Sequence, residues 1–240
     1  TTPDLVRQAH QLPKEPSIQM TTIFRLDASI RNEGSVTRAV ATSLESALRA
    51  DDPDAKVLRR DLGREPLPSQ MWADALSGSH IAEGERTPEQ RAALALASEM
   101  GDELAQADAF IFAIPMYNFG VPPHAKAWID VLITDPRFSP RSANPIAGKP
   151  AYLVLARGGM YGPGTPREGW DHATEWLKLI FGRIWGLDVT VIETELTAAD
   201  VSPALAEFRG LAAQNLERAH TAAAEHGKDL AERLRETEAA

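Results

Sequence analysis

Two stretches of this chain, AFIFAI (Ala109 to Ile114) and AYLVLA (Ala151 to Ala156), are apolar over the whole length of a β-strand. A strand that is apolar on both faces must be covered on both, as happens in a parallel sheet flanked by helices. The pattern around them alternates accordingly. TTIFRLDAS (21 to 29) reads as a strand, and SVTRAVATSLESALRA (35 to 50) places Val36, Val40, Leu44, Ala47 and Leu48 on one helical face. AKVLRRDL (55 to 62) is a more polar strand, followed by a Pro- and Ser-rich stretch with Met71, Trp72 and Leu76, to which no helix is assigned. TPEQRAALALASEMGDELAQA supplies a helix capped near Thr87 with Pro88 in its first turn. After AFIFAI, VPPHAKAWIDVL sets Val121, Ala125, Trp128, Ile129 and Leu132 at helical spacing; a loop over 135 to 148 leads to AYLVLA. Arg167 to Ile184 reads as a helix, LDVTVIE (187 to 193) as an alternating strand, and Pro203 to about Arg235 as a last helix whose charged final turns are expected to project beyond the core.

Five strand–helix alternations predict an α/β fold with a doubly wound parallel sheet and helices on both faces. The apolar strands at 109 and 151 belong inside the sheet and the polar ones at 55 and 187 at its edges, giving the order 2-1-3-4-5, the flavodoxin-like arrangement. Residues 20–240 are expected to form a single domain. Residues 1–19, with three prolines and little periodicity, read as a flexible N-terminal extension ahead of Met20. The excess of 34 acidic over 25 basic residues, a formal charge of −9, argues against nucleic acid or an anionic membrane as partner. The absence of cysteine excludes thiol nucleophiles, iron–sulfur clusters and thiolate zinc sites, and no histidine pair has a usable metal spacing. His220 and His226 are expected on a solvated helix face. With no apolar run long enough to span a bilayer, the expectation is a cytoplasmic protein.

In such a sheet, ligands bind beyond the carboxyl ends of the strands where the winding direction switches, so three loops matter. DASIRNEGSVTR (27 to 38) offers the hydroxyls of Ser29, Ser35 and Thr37 and a helix N-terminus suited to an anion, although Ser35 equally serves as a plain helix cap. It is neither a P-loop nor a dinucleotide fingerprint. PMYNF (Pro115 to Phe119) offers a rigid aromatic ledge with the Asn118 amide; Tyr117 and Phe119 could instead only fill core. ARGGMYGPG (156 to 164) brings Arg157, Gly158, Gly159 and Tyr161 to the same edge. Together the loops describe a pocket for a planar ring bearing a phosphate, which FMN fits. His124 and His172 fall nearby and read as satisfied or solvent-facing.

DASIRNEGSVTR, PMYNF with VPPHAKAWID, GKPAYLVLARGG and FGRIWGLDVTVI together resemble the FMN-dependent NADH-azoreductase family, the flavodoxin-like quinone and azo reductases, over roughly residues 21 to 220. The resemblance implies that Ser29, Ser35, Val36 and Thr37, with Arg31 nearby, hold the FMN phosphate; that Pro115, Met116, Tyr117, Asn118 and Phe119 line the flavin; and that Arg157, Gly158 and Gly159 meet its pyrimidine edge, with Tyr161 able to cover it. It further implies a homodimer and a two-step hydride transfer from NADH or NADPH through FMN to a quinone or azo compound, with no catalytic side chain. Ala156 and the loop 133–148 depart from the family pattern. The rival readings are a flavodoxin-type FMN electron carrier serving protein partners and, more weakly, a flavin-free module.

Overall fold

The computed structural model describes residues 20–238, so the expected extension at 1–19 lies outside the described residues. The elements run β1 (Thr22–Asp27), α1 (Val36–Asp51), β2 (Lys56–Asp61), α2 (Met71–Ser79), α3 (Pro88–Ala105), β3 (Ala109–Pro115), α4 (Pro123–Leu132), β4 (Pro150–Ala156), α5 (Thr174–Lys178), β5 (Asp188–Thr194) and α6 (Arg209–Glu238). All strand pairings are parallel and the order is β2-β1-β3-β4-β5, as the polarity of the strands predicts.

Alternation within the central strands divides the core in two. Phe24, Phe110, Phe112, Ile114, Leu153 and Leu155 face α2 to α5 and meet Trp128, Phe181 and Trp185. Ile23, Ala109, Ile111, Ala113 and Val154 face α1 and α6, meeting Val40, Leu44 and Leu230. Phe112 and Phe181 stack with their ring centroids 4.1 Å apart and their planes 15° from parallel. Helix α3 starts where its sequence signals it, with a Thr87–Gln90 capping box and Pro88 at the first position.

Four sequence expectations are corrected. The stretch over 63 to 87 contains α2, which begins at Met71 without a side-chain cap, and α2 helps bury Ala75 against the core. The helix expected from Arg167 starts only at Thr174, because Gly169 turns the chain at φ +79° and Asp171 accepts the N–H groups of Ala173 and Thr174. It then widens into a π turn over Leu179–Ile184. The end of α6 does not project: Leu230, Ala231 and Leu234 are buried beside α1. His220 and His226 are half-buried there, His220 Nδ1 lying 2.8 Å from Ser43 Oγ and the His226 ring 5.5 Å from that of Tyr152.

The α1–α6 contact depends on Gly227, where an added Cβ would sit 2.3 Å from the Leu44 carbonyl oxygen. Gly227→Ala gains up to about 1 kcal/mol of helix propensity. Forcing apart two packed backbones costs about 1 to 3 kcal/mol. The clash wins, and a lowered midpoint in urea unfolding is the expected result.

Candidate functional site

The three loops converge at the carboxyl edge of β1, β3 and β4. The first begins where β1 ends: Ala28 N–H donates to the Ala113 carbonyl (2.9 Å), fixing the departure of the chain. Ser35 then caps α1, accepting from the Arg38 N–H at 3.4 Å, and its hydroxyl lies 3.3 Å from that of Thr37. The N–H groups of Val36 and Thr37 stand in the first turn, where no preceding carbonyl of the helix can take them, so they and the dipole favour an anion. Ser29, Ser35 and Thr37 are all buried polar residues. Together with Arg31, Val36, Pro115, Met116, Tyr117, Ala156, Gly158, Thr197 and Ala198 they line a cavity of about 180 Å³.

A second, broader cavity of about 580 Å³ shares Met116, Tyr117 and Gly158 with the first and adds Ile30, Asn118, Phe119, Pro123, His124 and Tyr161. The ledge between them is a tight hairpin. Tyr117 and Gly120 exchange both backbone hydrogen bonds at 3.0 Å, with Asn118 at φ 48° and Phe119 at φ 68°. Positive φ at both central residues suits a twisted two-residue turn, and Asn is at home there, but the second place favours glycine. A phenylalanine in that conformation carries strain of about 1 to 3 kcal/mol, which proteins retain where the side chain is needed. The Phe119 ring, 40% exposed, packs edge-on against Trp170 (5.7 Å) and Tyr161 (6.4 Å). Tyr117 reaches the other way: its hydroxyl accepts from the Ile30 N–H (3.2 Å) and lies 3.3 Å from Ser29 Oγ.

The residues read from the sequence come together here, all but two. Arg157 and Gly159 line neither cavity. The Arg157 guanidinium turns away to Asp171 (2.8 Å) and Glu193, with Glu195 at 3.6 Å, and the Gly159 carbonyl accepts from the Leu196 N–H. Arg157 is thus a latch for the loop that carries Tyr161, whose own N–H donates to Glu195 (2.8 Å). His124 is satisfied, Nε2 lying 2.7 Å from the Ala28 carbonyl, and the His172 side chain is exposed. Sequence reasoning missed Thr197 and Ala198, which wall the first cavity from the loop after β5; nothing in the polar pattern of that edge strand marks them. It also missed Thr194, paired in register with Ala156, whose buried hydroxyl has no partner among the described residues.

The latch titrates. Burial pushes the Asp171 carboxyl up, but the Thr174 hydroxyl, the N–H groups of Thr174 and Ala173, and the Arg157 charge outweigh it and hold the carboxyl below its ordinary value. A carboxylate lowered in the folded state adds stability that is complete above its unfolded pKa of about 3.9 and is lost as pH falls through the folded value. The melting temperature of Asp171→Asn should therefore fall below that of the parent at pH 6, and the gap should close on acidification below about pH 4.

Polar hydroxyls and a helix start in a narrow cavity, sharing a wall with a broad aromatic one at the switch point of a parallel sheet, define a flavodoxin-like nucleotide-binding protein. Comparison with known proteins agrees: residues 21–224 match the model of the family described as flavodoxin-like fold. The chain belongs, within that fold, to the family of FMN-dependent NADH:quinone oxidoreductases. A Streptomyces avermitilis protein of that name is 36% identical over 216 residues, covering 90% of this chain and 99% of its own. Among solved structures, an azoreductase from Bacillus anthracis str. Sterne has a TM-score of 0.70 at 21% identity, covering 88% of this chain and 100% of its own. An FMN-dependent NADH-azoreductase from Bacillus anthracis str. Ames Ancestor, solved in complex with FMN, gives 0.69 at 17% identity over 88% of this chain and 99% of its own. At those identities the two structures speak for the fold.

Proposed function

We propose that the chain is an FMN-dependent NADH oxidoreductase that reduces quinones or azo compounds. The observation that carries the reading is that the two cavities lie side by side and share Met116, Tyr117 and Gly158 as walls. The narrow one has the donors a phosphate requires; the broad one has the flat apolar walls an isoalloxazine ring requires. In this assignment Ser29, Ser35, Val36 and Thr37 hold the phosphate with Arg31 beside them. Pro115 and Met116 to Phe119 line the ring, and Gly158 lets backbone approach its edge. Tyr161 walls the broad cavity, and Arg157 and Gly159 shape the loop behind it. FMN, when bound there, would supply the redox chemistry between a nicotinamide donor and the acceptor. The protein's residues place donor and acceptor on one open face and keep that face apolar.

The reductase reading is preferred to a flavodoxin-type carrier because relatives matched over nearly their whole length carry reductase names, and because a wide aromatic cavity suits a small planar acceptor. Ile30 (63% exposed) and Trp170 (52%) join Phe119 near the cavity mouth. Apolar side chains left open there support a homodimer in which the second copy covers the site. No helix among the described residues is long and apolar enough to cross a membrane. A nicotinamide as donor accords with action in the cytoplasm.

The test is an anaerobic absorbance spectrum of the protein loaded with FMN. Bleaching of the flavin band by NADH, reversed by a quinone, is the expected result. A bound flavin that neither NADH nor NADPH bleaches would favour the carrier, and failure to bind flavin would overturn both.

A further inference from the structure

Beneath the first loop lies an ion network that lines no part of either cavity. Arg38 directs its guanidinium away from the neighbouring Ser35, Val36 and Thr37. Nη1 and Nη2 pair with both oxygens of Asp61 (2.5 and 2.7 Å), and Nη2 also donates to the Ser29 carbonyl at 2.8 Å. Asp61, the last residue of β2, is itself fixed: its Oδ1 accepts the N–H groups of Gly63 and Arg64, both at 3.1 Å. Burial pushes the Asp61 carboxyl up, yet the Arg38 hydrogen bonds and charge, with the Arg64 N–H, hold it below its ordinary value, so it remains ionised opposite Arg38. Gly63 closes the same contact from the side, where a Cβ would lie 1.9 Å from the Ser29 carbonyl oxygen and 2.8 Å from its carbon.

We infer that Arg38, clamped by Asp61 and backed by Gly63, is a positioning residue that presets the loop 29–37 to receive a phosphate. Arg38 lines neither cavity: Nη1 and Nη2 are hydrogen-bonded, the Asp61 carboxylate balances the charge, and only the buried Nε has no partner among the described residues. Its effect is geometric. The Ala28 carbonyl is engaged by His124 and the Ser29 carbonyl by Arg38, so these two backbone acceptors are occupied and an arriving anion meets hydroxyls and N–H groups instead. Such preorganisation raises affinity by removing the ordering that the loop would otherwise undergo on binding. It also explains why β2, an edge strand that lines neither cavity, ends at Asp61 and is followed by Leu-Gly: Leu62 is buried, its N–H bonded to the Asp27 carbonyl (2.8 Å), while Asp61 reaches Ser29 through Arg38 and Gly63 leaves room for the Ser29 carbonyl.

The inference rests on the FMN reading and is tested apart from it by comparing FMN with riboflavin, which lacks the phosphate. Dissociation constants of both are measured by quenching of flavin fluorescence for the parent, Arg38→Met and Gly63→Ala. In the parent, FMN is expected to bind at least tenfold tighter than riboflavin. Each variant should weaken FMN at least tenfold and riboflavin less than threefold, because only the phosphate depends on the preset loop. Gly63→Ala keeps both charged side chains, but its Cβ would lie 1.9 Å from the Ser29 carbonyl oxygen and 2.9 Å from Arg38 Nη2, so it disturbs the same contact without removing either ion. Equal weakening of both flavins would mean a general structural role, and unchanged FMN affinity in folded variants would mean none; either overturns the inference while leaving the flavin reading intact. A parent that does not distinguish FMN from riboflavin would overturn the phosphate cradle and this inference together.

Discussion

Replacing Ser35 and Thr37 together by alanine is expected to weaken FMN binding by about 3 to 6 kcal/mol, a hundredfold to ten-thousandfold, since each hydrogen bond to a charged group contributes about 1.5 to 3 kcal/mol. Both hydroxyls belong to buried residues lining the narrow cavity, and they lie 3.3 Å apart, so one oxyanion can meet both. Ser35 also caps α1, and that part of its role adds a fall of about 1 kcal/mol in unfolding free energy. The two effects separate in measurement: chemical denaturation of the flavin-free protein reads the cap, and a fluorescence titration with FMN reads the cradle. An unchanged FMN affinity would leave Ser35 as a helix cap and nothing more.

The second large effect concerns Asp27, a carboxylate 1% exposed at the end of β1. Arg25 donates to it through Nη2 at 3.0 Å and Arg59 through Nη1 at 3.1 Å, with Arg38 at 3.8 Å. Removing one partner of a buried ion pair costs about 3 to 5 kcal/mol because the other is left uncompensated. Arg25 keeps Glu45 at 2.8 Å, so Asp27→Ala belongs near the lower end, about 3 kcal/mol, read as a lower urea midpoint at unchanged slope. The double variant Arg25→Met with Asp27→Leu removes charge of both signs and is expected to be more stable than Asp27→Ala alone. A double variant as unstable as the sum of the single ones would show that packing, rather than stranded charge, sets the cost.

The sheet was legible because strand burial writes itself into side-chain polarity. AFIFAI and AYLVLA could only be covered on both faces, and the charges of KVLRRD and DVTVIET could only be accommodated at edges. The loops that form the site followed from that order. What escaped has identifiable causes. Helix α2 starts without a cap among prolines and serines, so no start signal announces it. The polar face of α6 conceals that His220 and Leu234 lie against α1 and His226 against Tyr152, with the α1–α6 contact resting on one glycine. Arg157 stood in the right loop, but the carboxylates that draw its guanidinium away come from Asp171 and Glu193, 14 and 36 residues along the chain.

The wall formed by Thr197 and Ala198 bears on how the protein comes into being. A ribosome delivers the hydroxyl loop at 29–37 before the aromatic hairpin at 117–120, and the loop beyond β5 after both. Until then the narrow cavity is open on one side, and α1, whose first turn supplies Ser35, Val36 and Thr37 to that cavity, lacks the support of α6. A chain halted before residue 197 therefore holds the hydroxyl loop and the hairpin without the wall that Thr197 and Ala198 supply, so full enclosure of the narrow cavity waits for the segment beyond β5.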